Sequence, residues 1–135
     1  MPRVVHFEIG ADDPERAVKF YADVFGWKVE RWGEEPYWLV ETGEAGAGEE
    51  GAGGEVGSGE TEPGIGGAIM PREGSNTTVN TISVPSLDEF MAKIEAAGGQ
   101  AASPKMTIPG IGYHAYCMDT EGNTFGILQE DREAA

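Results

Sequence analysis

Basic residues are scarce in this chain: 9 Lys and Arg stand against 24 Asp and Glu, for a formal charge of −15. That balance argues against nucleic acid and membrane as partners and favours a neutral or cationic small molecule over an anionic one. Cysteine is nearly absent. Cys117 has no second cysteine to bridge to, and a small buried apolar role suits it. The chain has no charged-then-apolar leader and no run of about 18 apolar residues, so a soluble cytoplasmic protein is expected. It also lacks a glycine-rich phosphate loop with its lysine, a nucleophile elbow and a paired-cysteine metal motif, which removes the best-marked phosphate, acyl-transfer and structural-zinc chemistries. At 135 residues it is the length of one domain, able to bury roughly two thirds of its unfolded surface.

The clearest positive signal is Val4 to Gly26, VVHFEIGADDPERAVKFYADVFG. Its first residues alternate, with Val5, Phe7 and Ile9 on one side and Val4, His6 and Glu8 on the other, as a two-faced strand requires. Asp13 and Pro14 then open a helix, since an Asp side chain accepts from first-turn amides and proline's fixed φ suits the first helical position. Ala17, Phe20, Tyr21, Val24 and Phe25 form an apolar stripe, and Gly26 is placed to end the helix in a left-handed cap. The same mechanics return at Thr78 to Gly99, TVNTISVPSLDEFMAKIEAAGG. There Ser86 and Glu89 make a capping box, and Leu87, Phe90, Met91, Ile94 and Ala97 form the stripe. A shift of 73 residues sets Ile9 on Ile82, Asp13 on Ser86 and Gly26 on Gly99, the mark of an internal duplication.

Further strands are expected at Trp27 to Trp32, Tyr37 to Glu41 and Gly64 to Met70 in the first half. In the second half they are expected around Gln100 to Ile108, Tyr113 to Met118 and Thr124 to Gln129, the last after a Glu121-Gly122-Asn123 turn. Within the first half, residues 43 to 63 hold only Gly, Ala, Glu, Ser, Thr, one Val and one Pro, too little apolar surface to offset ordering, and a flexible Gly/Glu-rich loop is expected. The division is thus a single domain of two modules, 1–72 and 76–130, with 131–135 a frayed tail. Each reads as one strand, one helix and about three strands, an α+β class in which helices cover one face of a mixed sheet.

His6, the DPERAVKFYADVFGW stretch, the GIGGAIM strand and the closing DTEGNTFGILQ together resemble the vicinal oxygen chelate superfamily, which includes glyoxalase I, bleomycin-resistance proteins, fosfomycin-resistance enzymes and extradiol dioxygenases. The resemblance spans nearly the whole chain outside the 43–63 loop. It implies two βαβββ modules forming a U-shaped mixed sheet around a cleft, helices outside, and commonly a homodimer. In metal-using members it implies one His or Glu ligand on the first and last strand of each module. The corresponding positions here are His6, Gly67, Val79 and Gly126, so one of the four can ligate. A tight divalent site needs about three protein ligands, so no cofactor is expected; His6 would be the anchor if Ni, Zn, Mn or Fe did bind.

Without the metal, His6 and Glu8 on one strand face are the candidates for proton transfer, an imidazole with a carboxylate two residues on. The candidates for ligand contact are His6, Trp38, Gly67, Val79, Thr81, Tyr113, His114, Tyr116, Gly126 and Leu128, which combine aromatic surface, a few oriented donors and open glycine positions. The expected function is a glyoxalase/bleomycin-resistance-like protein that binds a small organic molecule with its usual metal site largely absent. The alternatives are a divalent-metal lyase, isomerase or dioxygenase-like enzyme built on His6 with non-standard ligands, and a non-catalytic interaction module.

Overall fold

A computed structural model describes residues 2–43, 64–74 and 76–135. The expected loop at 43–63 therefore lies, beyond its first residue, outside the described residues. Those residues form nine strands and two helices in two compact units.

The first unit, Val5–Thr78, takes in most of β1 (Arg3–Ala11), then α1 (Pro14–Phe25), β2 (Lys28–Arg31), β3 (Trp38–Glu41) and β4 (Gly66–Pro71). Its strands lie in the order β2-β3-β4-β1, with β1 and β4 parallel and the other two pairings antiparallel. The mixture follows from chain length. The short link between β2 and β3 returns the chain antiparallel, whereas β1 and β4 are separated by a helix and can run side by side. The α1 N-cap is as read: the Asp13 carboxylate accepts from the Arg16 amide at 3.2 Å, and Gly26 closes the helix at φ 73°. Ala17, Val18 and Tyr21 of α1 pack on Phe7, Ile9, Val29, Trp38, Val40 and Ile69, so this face of the sheet is the core.

The second unit is built from Val79–Ala135 and the start of β1, up to Val4. It holds β5 (Thr78–Ser83), α2 (Leu87–Ala96), β6 (Gln100–Ala101), β7 (Met106–Ile108), β8 (Gly112–Met118) and β9 (Thr124–Glu130). β5 pairs parallel to β9, β9 antiparallel to β8, and β8 carries both β6 and β7 on its far edge. The stretch expected as one strand around Gln100 to Ile108 is thus two short ones. Pro104 has no amide to give a ladder, and the Ser103 hydroxyl instead accepts from the Tyr116 amide at 2.9 Å. Ser86 caps α2 by accepting from the Glu89 amide at 3.2 Å. The core of this unit is Val84, Leu87, Ala115, Cys117 and Ile127, with Phe90, Met91 and Ile94 of α2 and with Tyr113 packed on it. Burial pushes the Cys117 thiol up, so it stays protonated and inert.

The β8–β9 turn explains the DTEGN motif. The Asp119 carboxylate accepts from the Glu121 amide at 2.8 Å, the Asn123 amide at 2.9 Å and the Asn123 side-chain amide at 3.1 Å, which holds its carboxyl below the usual range.

The glycines of β4 differ in kind. Gly67 pairs with Phe7, whose ring and carbonyl would stand 2.6 Å from any β-carbon placed there, whereas a β-carbon at Gly66 would meet only the Val40 carbonyl at 3.5 Å. Gly67→Ala is therefore expected to cost about 1–3 kcal/mol of unfolding free energy and Gly66→Ala to be near neutral. Denaturant melts of both variants measure this, and equal costs would show that the Phe7 contact is not the constraint.

Candidate functional site

The register of β1 against β4 sets what each face of the first sheet carries. His6 pairs with Gly66, Phe7 with Gly67 and Glu8 with Ala68, so His6 and Glu8 stand on the face away from α1. On β3, Trp38 pairs with Ile69 and lies in the helix-covered core, with the Arg31 guanidinium 5.1 Å over its ring. The structure does not bring Trp38 to His6. Alternation brings its neighbour instead: the Tyr37 hydroxyl donates to Glu8 Oε2 at 3.0 Å and sits 3.2 Å from His6 Nε2. Glu8 is 8% exposed and His6 half-buried.

With the phenol hydrogen directed at Glu8, the phenol oxygen can accept from His6 Nε2 in the tautomer that carries its hydrogen there, which leaves Nδ1 as the basic nitrogen. Burial holds the His6 pKa below its ordinary value, and the nearby Glu8 carboxylate opposes that only in part. A neutral imidazole, a phenol and a carboxylate in series can accept a proton, pass one, or hold the polar end of a ligand.

Gly67 is absent from this face. Its place beside Phe7 puts it in the core, and its open side is filled by the Phe7 ring. In the second unit Thr81 pairs with Gly126 as Glu8 pairs with Ala68 in the first, so the 73-residue repeat makes Ala68, not Gly67, the counterpart of Gly126.

The second unit has its own polar face, opposite α2. Thr81, Gly126 and Tyr116 form one row across β5, β9 and β8, and Ser83, Leu128 and His114 form the next. Val79 lies on the same side of β5 and is buried. Tyr113 does not belong here. It faces the α2 core, with Lys105 Nζ 5.2 Å from its ring centroid. His114 meets Tyr116 edge to face at 4.7 Å, and the position a β-carbon would take on Gly126 lies 2.6 Å from His114 Nε2 and 3.1 Å from Thr81 Oγ1. Gly126 therefore does not leave open space; its missing side chain makes room for the His114 ring. Thr81 Oγ1 is buried without a hydrogen-bond partner among the described residues.

The superfamily's metal needs several donor side chains at the first and last strands of the two units. His6, Ala68, Val79 and Gly126 offer one imidazole and three positions with no ligating side chain. No three His, Cys, Asp or Glu side chains group together among the described residues. This set does not fit a tight divalent ion.

A strand, a helix on one face and then three or four further strands, occurring twice with a parallel first-to-last strand pairing, define an α+β protein of the glyoxalase type. Residues 3–127 match the Glyoxalase/Bleomycin resistance protein/Dioxygenase superfamily, and the chain belongs to it. It is 32% identical over 126 residues to a glyoxylase-like domain-containing protein of Didymella fabae, covering 89% of this chain and 88% of that one. Among solved structures it is similar to a superfamily member from Vibrio splendidus, at 16% identity and TM-score 0.61, covering 97% of this chain and all of the other. It is also similar to the Mn(II)-bound glyoxalase of Novosphingobium aromaticivorans, at 20% identity and TM-score 0.59, where the whole of this chain spans 42% of that protein.

Two outcomes follow from the site. An imidazole with a depressed pKa is neutral in the fold, so below about pH 6.5 the unfolded chain takes up its proton first and folded stability falls; above that pH the group contributes no slope. The melting temperature of the wild type should thus fall more steeply than that of His6→Gln between about pH 7 and 5, and equal slopes would contradict it. Thr81→Val removes an unpaired buried hydroxyl at nearly constant shape and should raise stability by about 1 kcal/mol in a denaturant melt; a loss of that size would mean that Thr81 Oγ1 is satisfied.

Proposed function

We propose that this protein binds a small organic molecule on the polar strand face carrying His6, Tyr37 and Glu8, and that the superfamily's four-ligand metal site is largely absent from it. The hydrogen-bonded chain His6–Tyr37–Glu8 carries the reading. It is partly buried, pre-oriented, and directed away from the helix-packed core, so a ligand's polar group would meet donors and acceptors already in place. Thr81, His114 and Tyr116 supply a second set of polar groups for the same purpose. The expected assembly is a homodimer, which sedimentation would measure.

One observation favours a catalytic reading beside it. A neutral His6 whose Nε2–H is held by Tyr37 presents Nδ1 as a base near neutral pH, as proton transfer next to a carbonyl requires. Glu8, acting through Tyr37, is then a positioning residue for the tautomer.

Protein purified without added metal and then offered Ni, Zn, Mn and Fe(II) should show no stoichiometric uptake. Stoichiometric uptake that His6→Ala abolishes would overturn the metal-free reading. A thermal-shift screen of small amines, phenols and carboxylic acids should yield ligands that stabilise the wild type and lose about tenfold in affinity in Tyr37→Phe, which keeps the ring and removes the link between His6 and Glu8. Ligands indifferent to Tyr37→Phe would place binding elsewhere.

A further inference from the structure

Tyr37 has a second surroundings. Together with Trp32, Gly33, Glu34, Glu35, Pro36, Met70, Pro71 and Glu73 it lines an open cavity of about 670 Å³ inside the first unit, at the end of the β2–β3 hairpin. Three properties of this cavity bear on what it takes. The Trp32 and Tyr37 rings stand 5.5 Å apart at 57°, a corner of two π-faces and edges, and Met70 is a lining residue beside them. Tyr37 donates its hydroxyl hydrogen to the Glu8 carboxylate, which pushes electron density into its ring. Three carboxylates, Glu34, Glu35 and Glu73, line the wall with no Lys or Arg among the lining residues.

The nearest cations in sequence are occupied. Arg31 donates to the backbone carbonyls of Glu35 at 2.9 Å and Glu34 at 3.0 Å, not to their carboxylates, and lies over Trp38. Arg72 is paired with Asp12 at 3.0 Å. No ion pair among the described residues involves Glu34, Glu35 or Glu73. The hairpin that carries these groups is itself braced, with the Trp32 amide donating to the Tyr37 carbonyl at 2.9 Å and the Tyr37 amide to the Glu35 carbonyl at 2.8 Å.

We infer that this cavity is a binding site for organic cations, of the quaternary or tertiary ammonium class. A weakly hydrated cation loses little by leaving water, gains from the two aromatic rings, and meets uncompensated negative charge at the rim. A compact metal ion would find no three carboxylates close enough to share it among the described residues, and an anion would meet three like charges. The inference rests on the small-molecule-binding reading above and names the class of ligand, with Tyr37 shared between the cation corner and the polar chain.

The test compares choline with its uncharged isostere 3,3-dimethylbutan-1-ol at constant ionic strength, followed by tryptophan fluorescence and calorimetry on the full chain. Choline should bind about tenfold more tightly than the isostere. The exposed triple variant Glu34→Gln/Glu35→Gln/Glu73→Gln should weaken choline about fivefold and leave the isostere unchanged, and Trp32→Leu should weaken choline and remove most of its fluorescence response. Equal affinity for choline and the isostere, or choline binding indifferent to both variants, would overturn the inference. If choline fails while uncharged molecules still bind in a Tyr37-dependent way, the cation class falls and the small-molecule reading stands; if nothing binds, both fall.

Discussion

Phe7 lies across the backbone of Gly67, and the parity of that contact governs the chemistry of the first unit. Because β1 and β4 run parallel with these two residues opposite each other, the helix-packed side of the sheet holds Phe7, Ile9, Trp38, Val40 and Ile69. The other side must then hold His6, Glu8, Gly66 and Ala68. A slip of one residue in this pairing would bury the imidazole and carboxylate under α1 and turn the aromatic core out to water. The ring over Gly67 opposes that slip, since no side chain is there to yield. The second unit repeats the arrangement, with Thr81 beside Gly126 on the polar side and Ile82 beside Ile127 under α2.

The two glycines at supposed ligand positions therefore do opposite work, and neither leaves a vacancy. Gly67 admits Phe7 to the core. Gly126 admits His114 to the polar face, where the ring occupies the place of a side chain rising from β9. An imidazole from the neighbouring strand thus stands near where the superfamily resemblance puts a carboxylate. This replacement changes the kind of group at that point, from a carboxylate to an imidazole, which can donate or accept a hydrogen bond.

The negative charge is not spread evenly between paired and unpaired groups. The excess of acid over base is partly solvating surface, as with the exposed Lys19–Asp23 and Lys105–Asp88 pairs, which contribute little to stability. Glu34, Glu35 and Glu73 take part in no ion pair among the described residues, and they line the same cavity as Trp32 and Tyr37. The same phenol that hydrogen-bonds His6 and Glu8 lines that cavity, so the hydrogen-bond chain and the cavity share one residue.

Much of the fold was legible from residues alone, because its signals are local. Asp13-Pro14 and Ser86 with Glu89 mark helix starts whatever surrounds them, and alternation at Val4 to Ile9 separates His6 and Glu8 from Phe7 and Ile9 without reference to any partner strand. The superfamily resemblance rested on the same local motifs. Which residues of other strands join His6 was not local. Tyr37 and Trp38 are adjacent, both aromatic and equally suited to a pocket. The pairing of Trp38 with Ile69 chose between them by sending one to the core and the other to the polar face. The same holds for Tyr113 against His114 and Tyr116, and for Gly67 against Ala68. Residue type and period were written in the sequence; face and partner were decided by strand register, which depends on contacts between segments tens of residues apart.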